Sequence, residues 1–444
     1  MEEITVEHII VETGLGKGVE EYGNMGDVAM LQAGVDRLHK LFPKACIEVL
    51  TDSAEDLARF CPVAKPLDNA GRALWFANGV LLGRFTDHIP KWVVDVLVWL
   101  KKTARSQFPG LVRTILVSRL KHKNRLTDAA AVSAFTRALG NADLLLLCGA
   151  GGFYDGCQAW NLDVLDILEA GIQRHVPVVM LGQGFGPLKD PLVLKRAAKV
   201  LPSVNLITLR GSPGSLDLLR SLGVNESSVQ TTGDEAVELA YEARTEKGGH
   251  GLGINIRFAA SADTDDHDIE AIRPVLHEFA RRRGISLVPL PIAIQIYTRD
   301  DLAIKRLLLG LDNESDGGNT LDSPLKVIRK AASCRVVVTG AYHAAVFALA
   351  QGIPVVALAK SAYFASKMLG LESQFGEGCQ TIVLNEPELP QRLASAIERA
   401  WQSADRLREP LQEAALRQIE SSRMSYERVR DLVGHTNTAT NHTE

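Results

Sequence analysis

Short runs of branched and other large apolar residues recur along the chain and alternate with stretches whose apolar positions repeat at helical spacing. Residues 4–11, 47–50, 144–148, 176–181 and 206–209 read as strands of the first half, and residues 252–256, 286–290, 336–338 and 354–358 as strands of the second. Several are apolar at consecutive rather than alternate positions, which suits strands of a parallel sheet buried on both faces. Between them, Val28, Leu31, Val35 and Leu38 form one helical stripe and Ile269, Ile272, Leu276 and Phe279 another, with a further helix over 300–311. Near the end, Leu407, Leu411, Ala414, Ala415, Ile419, Tyr426 and Val429 outline a long terminal helix. Residues 434–444 contain no large apolar side chain and are expected to be disordered.

The strand ends carry the candidate chemistry. The run Val336, Val337, Val338 stops at Thr339 and Gly340, and residues 344–351 favour a helix, so His343 falls at a strand-to-helix turn. Lys360, Tyr363 and Lys367 follow the next strand directly. In an open α/β sheet the ligand crevice lies at the carboxyl ends of the strands, where helix starts attract anions. One histidine and two lysines at one rim therefore suit a phosphate or carboxylate; the plainer alternative is a capping histidine and two solvated lysines. Arg257 ends the strand over 252–256, and its guanidinium can grip an oxyanion at two points as a lysine cannot.

Four strand-to-glycine-to-helix units run through the first half and make it Rossmann-like. Gly14, Gly16, Gly18, Gly23 and Gly26 lead into GNMGDVAML, where Asp27 falls at an expected helix cap. The spacing is neither GxGxxG nor GxxxxGK[ST], so no nucleotide fingerprint is present. Asn24 and Asp27 are suited to bind sugar hydroxyls or to take a proton from one, or Asp27 only caps the helix. GAGGFYDGCQAWN supplies Asp155 and Asn161, GQGFGPLKD supplies Gln183, and RGSPGSLDLLRSLGV carries Arg210 and Ser215. Gln230 to Glu246, with Gly233 and Asp234, reads as the connection to the second half.

Length and charge narrow the class. At 444 residues two domains are expected. These are an N-terminal one over 1–240 on the acceptor side and a C-terminal one over 247–400 on the donor side. A helix over 401–433 returns toward the first, and the tail over 434–444 ends the chain. The formal charge of −4 argues against a general nucleic-acid binder. The six cysteines lack metal-type spacing, so no metal is expected. No segment reads as a signal peptide or a bilayer span, and a cytoplasmic location, peripheral to the inner membrane face if attached, is the expectation. Residues 84–125 form a basic insert in which ten lysines and arginines face only Asp87 and Asp95. Its IPKWVVDVLVWLKK, edged by Trp92 and Trp99, suits an interfacial helix on an anionic membrane. It equally suits an amphipathic helix packed on the sheet with its basic residues in water.

Taken in order, GNMGDVAML, GAGGFYD, GQGFGPL, ITLRGSPGSLDLLRSLGV, TGDEAVELA, GLGINIR and YHAAVFALAQGIPVV with KMLGL resemble the polysaccharide pyruvyl transferase family, over roughly residues 9–371. The resemblance implies an α/β, GT-B-like fold: two Rossmann-like domains facing a central cleft, with a long C-terminal helix. It implies an enzyme that transfers a pyruvyl group from phosphoenolpyruvate to a sugar of a glycan or lipid-linked saccharide as a cyclic ketal, with no further cofactor. Carried onto this sequence, Arg257, His343 and Lys367, with Lys360 beside them, would bind the donor. His343 and Asp27 would be catalytic, and Asn24, Asp27, Asp155 and Gln183 would face the acceptor. The chain departs from the family at Ala341, where an arginine commonly stands two residues before the histidine. Losing one cation from a dianion pocket costs roughly 2–5 kcal/mol unless replaced, and Lys360 and Arg335 are candidates to replace it. The alternatives are a GT-B glycosyltransferase using a sugar nucleotide and a non-catalytic glycan-binding member of the family.

Overall fold

In the computed structural model, which describes residues 6–15, 21–77, 91–149, 151–296, 298–311 and 315–441, the apolar runs assemble into two parallel sheets. The first lobe contains β1 (His8–Glu12), α1 (Met25–Leu41), β2 (Cys46–Thr51), α2 (Ala54–Phe60), β3 (Lys65–Asp68), α3 (Asn69–Phe76), α4 (Lys91–Gln107), α5 (Pro109–His122) and α6 (Leu126–Asn141). It continues through β4 (Leu144–Leu147), α7 (Gln158–Ile172), β5 (Val178–Gln183), α8 (Pro191–Val200), β6 (Leu206–Leu209), α9 (Ser215–Ser221), β7 (Val229–Thr231) and α10 (Ala236–Glu242). The second lobe contains β8 (Gly251–Asn255), α11 (Asp266–Arg283), β9 (Leu287–Pro289), β10 (Ile294–Gln295), β11 (Thr298–Arg299), α12 (Asp300–Leu308) and α13 (Pro324–Ala331). It ends with β12 (Cys334–Thr339), α14 (Tyr342–Ala350), β13 (Val355–Ala359), α15 (Ala362–Phe375), β14 (Cys379–Val383) and α16 (Leu389–Asn441).

Strand order places the site. The first sheet runs β3-β2-β1-β4-β5-β6-β7 and the second β14-β13-β12-β8-β9, with parallel pairing throughout both. In each, the direction of winding reverses once, between β1 and β4 and between β8 and β12. A reversal opens a crevice at the strand carboxyl ends, because the two flanking connections leave on opposite faces. β4, with Leu144, Leu145, Leu146 and Leu147 all fully buried, sits at the first reversal, since helices cover both its faces.

The first sheet has seven strands rather than the five read from the sequence, and the second has five where four were read. The additional ones, β3, β7 and β14, are edge strands. An edge needs no continuous apolar run, and Lys65–Asp68 (KPLD) and Val229–Thr231 (VQT) carry none.

The terminal helix joins the lobes. It runs 53 residues from Leu389 to Asn441, longer at both ends than the 401–433 expected, so residues 434–441, expected to be disordered, continue it. Leu393, Ile397 and Trp401 pack in the second lobe, while Tyr426, Val429 and Val433 join the core beside Leu144 and Leu146. A buried polar clasp fixes that crossing: Arg37 of α1 pairs with Glu235 at 2.7 Å, and Ser422 and Tyr426 of α16 donate to the same carboxylate at 2.9 and 3.0 Å.

In the basic insert, α4 departs from an amphipathic helix with its basic residues in water. Lys101 and Arg105 are buried and donate to the backbone carbonyls of Phe76 and Ala77 at the end of α3, while Val96, Trp99 and Leu100 face outward. Gly16, Gly18, Arg84 and Asp87, and the side chains of Trp92 and Asp95, lie outside the described residues. No helix among the described residues is long and apolar enough to cross a membrane.

Candidate functional site

Four loops meet where the two strand reversals face each other. After β1 the chain reaches α1, whose cap is Asn24 and not Asp27: the Asn24 Oδ1 accepts from the Gly26 N–H at 3.1 Å. Asp27 stands in the first turn, with its carboxyl on the cleft rather than on the helix end. After β4 come Gly151, Gly152 and Tyr154; after β8 comes Arg257; after β12 come Tyr342 and His343, and α15 adds Tyr363 and Lys367. Together with Arg210 from the end of β6 they line a cleft of about 280 Å³, small enough to suit a metabolite headgroup rather than an engulfed polymer.

Each arginine is anchored by one buried carboxylate. Arg210 Nη1 donates to Asp234 Oδ2 at 3.1 Å, and Arg257 Nη1 lies 3.5 Å from Asp300 Oδ1. Asp300 is itself fixed, its Oδ2 accepting from Asn255 Nδ2 and from the Ile292 and Ala293 N–H groups, each at 3.0 Å. The anchors leave donors over: Arg210 Nη2 and Arg257 Nε are buried with no hydrogen-bond partner among the described residues. Unmet donors on buried guanidinium groups are costly unless something else accepts from them, and a bound oxyanion is such an acceptor.

His343 is held from two sides. A Cβ at Gly26 would lie 1.9 Å from His343 Nδ1, so the imidazole packs against α1 only because residue 26 has no side chain. Its Nε2 stands 3.6 Å from Asp234 Oδ2, near enough to pair as a charge and too far for a hydrogen bond. Burial alone would raise the Asp234 carboxyl, but His343 and Arg210 outweigh it and hold the group well below the usual carboxylate range. The starts of α1 and α14 both face the cleft, adding partial positive charge.

Lys367 completes the rim. Its Nζ is 3.3 Å from Tyr363 Oη and 4.9 Å from the Tyr342 ring centre, and Tyr363 in turn donates to the Gly151 carbonyl at 2.5 Å and stacks on Tyr154 at 3.9 Å. Burial and the Arg210 charge pull the ammonium down to about 7. A Cβ at Gly151 would lie 2.7 Å from Arg210 Nη2 and 3.3 Å from Lys367 Nζ. Glycine at 151 is thus what keeps the space between the two cations open.

Of the site residues read from the sequence, Asn24, Asp27, Arg257, His343 and Lys367 line this cleft. Three others do not. Lys360 turns away to pair with Asp265 and Asp268 at the start of α11, at 2.9 and 3.0 Å. Asp155 is exposed and accepts from the Lys189 and Asp190 N–H groups, bracing a turn. Gln183 is fully buried and donates to the Leu181 and Leu147 carbonyls between strands. Arg335 pairs with Asp405 at the opposite end of β12 and so does not substitute for an arginine at Ala341, which is buried at the cap of α14. Arg210 is the site residue whose role the sequence reading missed. Its signal was available, since it closes β6 as Arg257 closes β8.

The sequence model of the polysaccharide pyruvyl transferase family matches residues 24–361. No curated protein sequence matches the chain. Among solved structures, the UDP-GlcNAc 2-epimerase of Methanocaldococcus jannaschii is similar at 11% identity with a TM-score of 0.52, covering 94% of this chain and 99% of that one. A putative UDP-N-acetylglucosamine 2-epimerase of Listeria monocytogenes is similar at 12% identity and 0.51, covering 95% and 97%. At such identities the likeness establishes the fold, which is GT-B-like.

Proposed function

Because the chain belongs to the polysaccharide pyruvyl transferase family, we propose that it moves the pyruvyl group of phosphoenolpyruvate onto two hydroxyls of one sugar in a glycan or lipid-linked saccharide, releasing inorganic phosphate. The observation that supports this most is the meeting of Arg210, Arg257, His343 and Lys367 in one cleft that Asp27 also lines. The donor carries a carboxylate and a phosphate, and two anchored guanidinium groups with unmet donors match two oxyanions.

In this reading Arg257 takes the carboxylate, and Arg210 with Lys367 takes the phosphate. Arg210 would thus restore the cation that Ala341 removes. His343, whose Nε2 stands 3.6 Å from Asp234, gives a proton to the methylene carbon, and C2 becomes cationic. The first sugar hydroxyl bonds to C2 and passes its proton to Asp27. The bond from C2 to the phosphate oxygen then breaks, and the phosphate departs with that proton under the charge of Lys367 and Arg210. The second hydroxyl closes the ring on C2 and returns a proton to His343, so the histidine ends as it began.

The test is incubation with phosphoenolpyruvate and a panel of oligosaccharides, reading phosphate release together with pyruvate recovered from the glycan after mild acid. Both products in equal amount are expected with one acceptor. Consumption of a sugar nucleotide in place of phosphoenolpyruvate would overturn the assignment.

A further inference from the structure

Away from the cleft, α4 buries cations and exposes apolar groups, and α5 carries a second apolar row on its outer side. A helix on a soluble domain normally turns its apolar stripe inward and its cations outward. Among the described side chains of α4 the order is reversed at Lys101 and Arg105, which point inward onto the Ala77 and Phe76 carbonyls, while Val96, Trp99 and Leu100 face solvent, Trp99 at 62% exposure. In α5, Val112, Leu116 and Leu120 fill the core beside Val132 and Phe135 of α6. A second apolar row on the same stretch, Phe108, Leu111 and Ile115, is left exposed, Phe108 at 64% and Leu111 at 61%. Exposed apolar groups gathered on two consecutive helices mark an interaction surface rather than chance exposure.

Charge identifies the partner. Residues 91–125 hold nine lysines and arginines against one aspartate, in a chain whose formal charge is −4. Arg113, Arg119, Lys121 and Lys123 are exposed on α5 or just after it, between and beyond its exposed apolar positions in sequence. Two copies of such a face would repel, so self-association through it is disfavoured. The apolar groups stand on outer helix faces, interleaved with cations and carrying a tryptophan. That is the arrangement with which a helix lies in the headgroup region, its apolar side chains shallowly buried and its ammonium and guanidinium groups at the phosphates.

We propose that α4 and α5 form a docking surface for an anionic phospholipid bilayer. The surface seats the enzyme peripherally and is separate from the cleft chemistry.

The experiment is co-sedimentation of the full-length protein with vesicles of phosphatidylcholine, with and without phosphatidylglycerol. Binding is expected only to the anionic vesicles and is expected to fall as sodium chloride is raised. Two variants carry the test: Trp99→Ser/Leu111→Ser, which removes exposed apolar groups, and Arg113→Glu/Lys121→Glu, which reverses exposed charge. Each should lose about tenfold or more in vesicle affinity at an unchanged melting temperature, because all four residues are exposed. No binding by the wild type, or full binding by both variants, overturns the proposal. So does a dimer, seen by sedimentation velocity without vesicles, that Trp99→Ser/Leu111→Ser abolishes.

Discussion

At Lys367, burial and the neighbouring Arg210 guanidinium pull the ammonium down to about 7, against the opposing pull of Asp27. If that charge screens the departing phosphate, kcat/KM for phosphoenolpyruvate should fall as pH rises through this value. In Lys367→Arg, which stays charged, the limb should vanish; a limb that survives would assign it to another group. Stability should move the opposite way. The unfolded chain keeps this proton up to about 10.4 while the native state releases it near 7, so the unfolded state binds more protons between the two and native stability gains with pH there. Thermal unfolding of Lys367→Met from pH 7 to about 9 should lack that gain. Arg210 carries a second expectation at this scale. Arg210→Ala takes from Asp234 its guanidinium partner and removes an oxyanion donor, and should weaken phosphoenolpyruvate binding by about two orders of magnitude; Arg210→Lys, keeping charge without the fork, should recover only part.

Among the elements, α1 and α14 matter most, because their starts face each other across the site with almost no space between them. Gly26→Ala would place a methyl on the His343 ring. The expected result is a fall in kcat of at least about a hundredfold, since displacing a reacting group by about 1 Å is enough for that. Circular dichroism should remain native. A near-normal kcat would show that His343 has room to shift and is not held as described. The sequence showed these two helices and their strands well, because buried parallel strands and amphipathic stripes leave strong apolar patterns. It showed the edge strands β3, β7 and β14 poorly, because half-exposed strands do not need such runs. It misread the cap of α1 for a related reason: Asn24 and Asp27 are both good capping types, and only the backbone geometry decides between them. Lys360, Asp155 and Gln183 looked like site residues because each follows or ends a strand. Nothing in a linear pattern shows that Lys360 turns toward Asp265 and Asp268, or that Asp155 and Gln183 are consumed by backbone groups.

Across the whole molecule, the cleft exists because α16 ties the second lobe to the first. Glu235 receives Arg37, Ser422 and Tyr426 in a site with no exposure of its own. Glu235→Ala leaves the buried Arg37 guanidinium with Glu238 as its remaining paired carboxylate and Ser422 as a neutral acceptor, and should lower stability by about 3–5 kcal/mol in urea unfolding. A change under about 1 kcal/mol would mean that water or Glu238 satisfies Arg37 without the clasp. The pairing of lobes was legible in the order of the sequence blocks, whereas the clasp was not, since its members are 198 residues apart along the chain for Arg37 and Glu235. The account rests on the two strand reversals combining their charges around one small anion. Isothermal titration of phosphoenolpyruvate into the wild type, Arg257→Ala and His343→Ala tests this most directly. Saturable binding by the wild type and its loss in both variants, with melting temperatures preserved, is the predicted result. Equal affinity in all three proteins, or no binding by a folded wild type, would contradict it.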